Sequence, residues 1–363
     1  MNPLANANRL KLGVFAMNSD YNARTLPPEK YQLTWANSLD VAAMADKIGL
    51  EAIVPLARFR SMADARHHSG LAYECFAWSG AVAARTQHSA IMCTVHVMNV
   101  HPILAAKALT TVDHISGGRL ALNIVCGWFK EEAEMFGHSL LEHDEGYAYA
   151  DEWITAVKRL WTEEDEIDFD GRFIKMKRGM SQPKPLQAPR PVLMNAGGSP
   201  AGQRFVADHC DVAFIRANRL QDIAAEVEGY RRLARETTGR EIQIWLIGSM
   251  VHGDTPDDAE RLVQHYIDHA DQTYIDSYFA HRNKPLSAAE QLDLKRKYAF
   301  AGGGVPIIGD ADSIAQQMAS LNASGVDGVL MTWIDYQAGV RKFGAEVLPR
   351  LEAMGLRAPH IPH

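Results

Sequence analysis

The sequence predicts an α/β fold, a single (β/α)8 TIM barrel with insertions, on three observations. Eight short apolar runs recur along the chain, and amphipathic stretches lie between them. The runs are apolar nearly throughout rather than alternating, as strands buried on both faces are. Eight strands, each followed by a helix, is the count of such a barrel.

In order, the strands are expected at 10–17 (LKLGVFAM), 51–57 (EAIVPLA), 89–97 (SAIMCTVHV) and 119–127 (RLALNIVCG). The second four are expected at 191–198 (PVLMNAGG), 211–218 (DVAFIRAN), 242–253 (IQIWLIGSMVHG) and 327–335 (DGVLMTWID). Helical patterns occupy 34–48, 71–86, 143–162, 200–209, 220–237, 256–270, 311–324 and 340–354. A doubly wound open sheet in two domains is the competing architecture. Without a Pro/Gly/Ser-rich linker, a composition break or an internal repeat, one domain over 1–363 is the better reading. Two segments exceed ordinary loops. Residues 163–190 carry DFDGRFIKM, an Asp-Gly turn between strand-like arms, and read as a β-excursion. Residues 271–306 end in AFAGGGVPIIG and read as a lid over the strand C-termini, with Gly302, Gly303 and Gly304 as its hinge.

Composition narrows the function. The 363 residues are 47% hydrophobic and 22% charged, ordinary for a globular protein. A formal charge of −7 gives no support for a nucleic-acid or anionic-membrane partner. The N-terminus lacks a basic region followed by an apolar one, and no apolar run approaches the roughly 20 residues of a membrane span. Cys75, Cys93, Cys126 and Cys210 lie scattered in apolar segments without CxxC spacing, as reduced cytoplasmic thiols do.

Polar and glycine-rich features gather at strand ends. Asn123 interrupts an apolar strand that stops at Cys126, Gly127 and Trp128; a core strand has no need of an amide. Arg216, Ala217 and Asn218 end the sixth strand, and Thr332 to Asp335 the eighth. In NAGGSPAG, Gly197 and Gly198 permit close backbone approach, and Ser199 before Pro200 reads as an N-cap over free amides. Such a turn suits a phosphate, although it is also an ordinary strand-to-helix turn. The fifteen histidines show no common ligand template. His265 and His269 stand four apart, but Tyr266 occupies the position where a zinc protease needs Glu. His67 and His68, the pair His96 and His101, and the pair His138 and His143 match nothing, so no metal site is expected. A Ser-His-Asp hydrolase is disfavoured by the lack of G-x-S-x-G.

Four stretches carry a resemblance: VDHISGGRLALNIVCGWFKEEAEMFG, LLEHDEGYAYADEWI, QPKPLQAPRPVLMNAGGSPAG and GVDGVLMTWIDYQAGVRKFGAEVLPRL. Together they resemble the bacterial-luciferase-like flavin-dependent monooxygenases, nearest the pyrimidine and the dimethylsulfone or alkanesulfonate branches, from about residue 11 to 354 in one order. The family fold is the barrel already counted. The resemblance implies reduced FMN, delivered by a separate NAD(P)H-dependent flavin reductase, and O2, used on a small polar substrate, pyrimidine- or amide-like or organosulfur. It also implies a homodimer or homotetramer. Asn123 is expected to reach the flavin and take part in catalysis, Glu132 to contact it, and Tyr147 and Ser199 to hold the phosphate beside Gly146 and Gly198. Ala57 and Arg58 match positions against flavin or substrate, with Arg58 a second catalytic candidate. Gly146 departs from the family's arginine and removes a phosphate cation; Cys126 replaces a hydroxyl residue. Thr94, His96, Met98, Asn99 and His101 also depart, which leaves the substrate open. Each site residue retains a plainer expectation: Asn123 a satisfied strand end, Glu132 a solvated helix face, Arg58 a surface pair. A deazaflavin-dependent oxidoreductase and a non-catalytic flavin-binding barrel are the alternative functions.

Overall fold

In a computed structural model, the described residues are 2–22, 24–215, 222–281 and 288–361. In chain order the strands are β1 (Lys11–Phe15), β2 (Ala52–Val54), β3 (Ala90–His96), β4 (Leu120–Val125), β5 (Ile167–Asp170), β6 (Lys175–Gly179), β7 (Val192–Asn195), β8 (Val212–Ile215), β9 (Gln243–His252), β10 (Val305–Gly309) and β11 (Gly328–Thr332). The first seven helices are α1 (Trp35–Lys47), α2 (Cys75–Arg85), α3 (Pro102–Ile115), α4 (Lys130–Met135), α5 (His143–Thr162), α6 (Pro200–His209) and α7 (Ile223–Thr238). The remaining six are α8 (Pro256–Asp268), α9 (Gln272–Ala280), α10 (Ala288–Ala301), α11 (Ala311–Ala323), α12 (Tyr336–Lys342) and α13 (Leu348–Ala353).

Eight parallel strands close a ring in the order β1, β2, β3, β4, β7, β8, β9, β11 and back to β1. These are the eight expected apolar runs. Alternate residues divide each strand between two cores. Ala52, Val54, Ala90, Met92, Ala121, Met194, Phe214, Trp245 and Leu330 fill the barrel. Ile53, Ile91, Cys93, Leu120, Leu122, Ile124 and Leu193 pack outward against the helices. Both faces are buried, which is why the strands read as continuous apolar runs. Leu4, from a short turn before β1, joins the inner core and plugs the N-terminal mouth. Asn2 Nδ2 donates to the Leu120 carbonyl (3.1 Å), and Gln243 Nε2 donates to that of Leu4 (2.7 Å).

Several features differ from expectation. Helix α3 fills the gap after β3, where no helix was expected; its buried face includes Thr110 and Asp113, which blur the apolar period. Strand β10 was read as the tail of the late insertion; it pairs with the second half of β9, whose first half pairs with β8. The expected helix 340–354 is α12 and α13 joined by a π-helical segment, Phe343–Val347. The expected helix 71–86 begins at Cys75, where Glu74 caps it through Phe76 N and Ala77 N (both 2.8 Å). The excursion is as expected, with β5 and β6 antiparallel around Gly171. Glu152 of α5 holds its turn by accepting from Arg172 N, Phe173 N and Ile174 N at 2.8 to 3.0 Å. Arg216 to Asn218 lie outside the described residues. No described helix is long and apolar enough to cross a membrane.

Candidate active site

The period of two on β4 turns Asn123 inward, two residues above Ala121, while Leu122 and Ile124 face the helices. In register across from it stands Thr94 of β3. Thr94 Oγ1 donates to the Pro55 carbonyl (2.6 Å), which commits its one proton. Thr94 therefore accepts from Asn123 Nδ2 (3.1 Å), and this fixes the amide's orientation. The other end, Asn123 Oδ1, is buried and has no partner among the described residues. An acceptor in that condition costs about 1–3 kcal/mol, so it calls for a donor that a ligand can bring.

Beside it lie the residues after β2. The strand stops at Val54, so Ala57 and Arg58 belong to the following loop rather than to a strand. They share a cleft of about 30 Å³ with Thr94, Val95 and His96. That volume holds a water or two, so a ring enters only if the walls move. Glu132, in α4, is buried rather than a solvated face. Its Oε1 accepts from Phe59 N (2.8 Å), and its Oε2 faces His96 Nδ1 (3.2 Å). Burial pushes the Glu132 carboxyl up, but His96, Phe59 N and the Arg58 charge outweigh it and hold the group below its usual range. Both oxygens are thus engaged in tying α4 to the β2 loop and β3. The Arg58 guanidinium stands 3.4 Å from Tyr274 Oη and 3.5 Å from the Ser69 carbonyl. Burial disfavours its charge; Tyr274, Tyr298 and Glu132 more than restore it.

The second half of the site surrounds the N-terminus of α6. Ser199 caps it, Oγ accepting from Gly202 N (3.1 Å), with Pro200 at the first helical position. Gly197 and Gly202 are packed so closely that a Cβ on Gly197 would stand 2.6 Å from Gly202 Cα. A Cβ on Gly202 would meet Tyr147 Oη at 2.6 Å, which places the hydroxyl of α5 directly on this turn. Gly198, by contrast, is exposed and has open space beside it. Gly146 lies under the Cys126 carbonyl, 3.5 Å from where its Cβ would be. Asn195 braces the turn, with Nδ2 donating to the Ile124 carbonyl (2.7 Å) and Oδ1 accepting from Gly197 N (2.8 Å). Burial pushes the Cys126 thiol up to about 12, so it is no nucleophile.

The described parts of the late insertion, 271–281 and 288–306, cover this end. Tyr274 and Ile275 of α9 and Tyr298 and Ala299 of α10 bury against Met62 and Phe129. Tyr278 stacks on Tyr298 at 4.2 Å. Gly302 has φ +57° and packs on the Arg24 guanidinium, and Gly304 packs on Ser249 Oγ. A larger cavity, about 390 Å³, lies at the opposite mouth between Asn2, His88 and Arg119. Arg119 is committed there to the Ser116, Ser89, Ala83 and Thr86 carbonyls, a structural use. Chemistry in this fold sits at the strand C-termini, so that cavity is not the site.

Asn123, Arg58, Ala57 and Glu132 are thus brought together at one side, and Gly146, Tyr147, Gly198 and Ser199 at the other. Sequence reading placed Thr94 and His96 only among the departures that leave the substrate open, and assigned no role to Asn195 or Tyr274; the second strand-end amide, Asn195, was the available signal. The orphaned Oδ1, the capped α6 amides and the open backbone at Gly198 fit a ring-plus-phosphate cofactor such as FMN. The residues that would hold it are Asn123 at the ring, and Ser199, Tyr147 and the α6 amides at the phosphate.

A family model described as luciferase-like monooxygenase matches residues 10–328. An FMNH2-dependent dimethylsulfone monooxygenase of Pseudomonas putida is 31% identical over 319 residues, 85% of this chain and 86% of that one. A pyrimidine monooxygenase of Bradyrhizobium is 27% identical over 361 residues, 96% of this chain and 99% of that one. A crystal structure of riboflavin lyase with modified FMN and riboflavin superimposes with a TM-score of 0.86 at 21% identity, covering 97% of this chain and 94% of its own.

Proposed function

The chain belongs to the luciferase-like monooxygenase family, and from that premise we propose that it is a two-component, FMN-dependent monooxygenase acting on a small polar substrate. Reduced FMN, supplied by a separate NAD(P)H-dependent reductase, would provide the two electrons that reduce O2, with one oxygen atom entering the substrate and the other leaving as water. The observation that carries the reading is the orphaned Asn123 Oδ1 at the end of β4, across from the Ser199-capped helix.

In this reading Asn123 Oδ1 accepts an N–H of the ring, and Nδ2 is held by Thr94. Ser199, Tyr147 and the backbone at Gly146 and Gly198 receive the phosphate. Arg58 and Ala57 face the substrate side, and Glu132 keeps the β2 loop and His96 in place. Residues 271–306 exclude water when closed, with 302–304 as the hinge. The pyrimidine- or amide-like and organosulfur classes are the substrates to try, because the relatives act on both kinds. The whole chain is taken as one catalytic unit, a cytoplasmic homodimer or homotetramer.

The test is oxygen uptake with FMN, NADH and an added reductase against a panel of both classes, with product read by mass spectrometry. One class should yield an oxygenated product with matched O2 use. Recovery of all O2 as hydrogen peroxide with every substrate, or turnover only with a deazaflavin, would overturn the reading.

A further inference from the structure

We propose that His67, His68 and Asp271 form a zinc-class divalent metal site that fastens the late insertion to the β2 loop. The ligand atoms of the three side chains all lie within 4.8 Å of one another. Asp271 Oδ2 stands 2.9 Å from His67 Nε2 and 3.6 Å from His68 Nε2. Bonds of about 2.0–2.1 Å to a tetrahedral zinc set ligand atoms about 3.3 Å apart, and the two distances straddle that value. The side chains are mostly buried, at 14%, 31% and 12% exposure for His67, His68 and Asp271, and the more open His68 leaves room for solvent as the fourth ligand.

The surrounding bonds orient the His68 ring as a metal requires. His68 Nδ1 is 2.7 Å from Asp20 Oδ2, and an ionised carboxylate only accepts, so Nδ1 carries the hydrogen. In the neutral ring Nε2 then presents a lone pair to the Asp271 carboxylate, two electron-rich atoms face to face. A cation between them removes that repulsion. Asp20, held in turn by Lys30 (2.6 Å), is the carboxylate that commonly backs a metal-bound imidazole. His67 has Ser69 Oγ 2.9 Å from Nδ1. Its ring lies flat on Tyr274, 5.5 Å between centroids and 9° between planes. Ser69 N–H donates to the same Nδ1 (3.2 Å), so in the free protein the ring hydrogen sits on Nε2; binding must move it to Nδ1, where Ser69 Oγ accepts it and the Ser69 N–H bond is given up.

Two imidazoles and one carboxylate select zinc-class ions over magnesium or calcium. Asp271 also caps α9, Oδ1 accepting from Tyr274 N (3.1 Å), so a bound ion holds the first turn of the insertion in place. No sequence template could show the site, because Asp271 lies 204 residues from His67.

The experiment is a titration of the chelator-stripped full chain with Co2+, read by visible absorption and by calorimetry, followed by displacement with Zn2+. One equivalent per chain should bind, with the absorption of a four- or five-coordinate cobalt, and thermal unfolding should shift upward. His68→Ala should weaken binding at least a hundredfold, and Asp271→Asn, which keeps a capping oxygen, should do the same. Asp20→Asn should weaken it about 10–100-fold at unchanged stoichiometry. Far-UV circular dichroism reports whether each variant folds, and His68→Gln replaces His68→Ala if that one does not. Absence of saturable binding, or equal affinity in folded His67→Ala/His68→Ala, would show an ordinary His–Asp contact and overturn the proposal.

Discussion

Replacing Asn123 with Leu separates an amide kept for the fold from one kept for a ligand. In the free protein the change deletes two things. The hydrogen bond from Nδ2 to Thr94 Oγ1 (3.1 Å) disappears, while Thr94 keeps its own bond to Pro55 (2.6 Å). Such a bond contributes about 0.5–1.5 kcal/mol net. The unpartnered Oδ1 also disappears, which relieves about 1–3 kcal/mol, and an apolar side chain joins Met92, Ala121 and Met194 in the inner core. The terms offset, so the free variant should melt within about 2–4 °C of wild type. The complex has no such compensation. Losing one neutral bond to the ring weakens reduced-FMN affinity about two- to thirteenfold. A missing oriented group at the reacting centre costs on the order of a hundredfold in rate. Anaerobic titration gives the affinity, and product against hydrogen peroxide, with reductase present, gives the coupling. NADH oxidation should continue while product falls and peroxide rises. A melting point lower by about ten degrees or more, with affinity and coupling falling only in proportion to unfolding, would make Asn123 a structural residue instead.

Glu132→Gln keeps the bond from Phe59 N but removes the charge facing His96, and should cost about 1–3 kcal/mol above pH 5. Because the folded carboxyl lies below its ordinary 4.5, its contribution is complete above that pH and is lost as pH falls through the folded value. The variant's melting point should accordingly depend less on pH in that acidic window; equal slopes in variant and wild type would contradict the assignment. Ser199→Ala removes the α6 cap, worth about 0.5–2 kcal/mol of stability, and a hydroxyl donor to a charged phosphate, worth about ten- to a hundredfold in FMN affinity. Unchanged affinity in anaerobic titration would place the phosphate elsewhere. Gly328→Ala puts a Cβ 2.1 Å from the Trp245 ring at the N-terminal end of the barrel, an overpacking of about 1–3 kcal/mol or more. Denaturant melts should show that loss, and the folded fraction should bind FMN as wild type does.

Local pattern alone was enough to specify the barrel. Strands buried on both faces must be apolar throughout, so eight runs such as LALNIV and AIMCTVH declared themselves, and the Asp170–Gly171 turn declared the β5–β6 hairpin. It also marked Asn123 and Ser199, because an amide inside an apolar run and a capping residue after two glycines are local anomalies. Helix α3 escaped since Asp113 on its buried face accepts from Leu186 N (2.7 Å), a partner no local pattern announces. Glu132, expected from the resemblance to contact the flavin and from its KEEAE run to face solvent as the plainer reading, shows its partners only once the β2 loop brings Phe59 N onto it. Strand register set Thr94 against Asn123 and so decided which end of the amide has no partner among the described residues. The closing of the late insertion set Asp271 against His67 and His68. Periodicity and capping are carried by residues a few positions apart, and a sequence displays them directly. The pairing of groups dozens to hundreds of positions apart arises only when burial of the two cores forces the loops above them into contact.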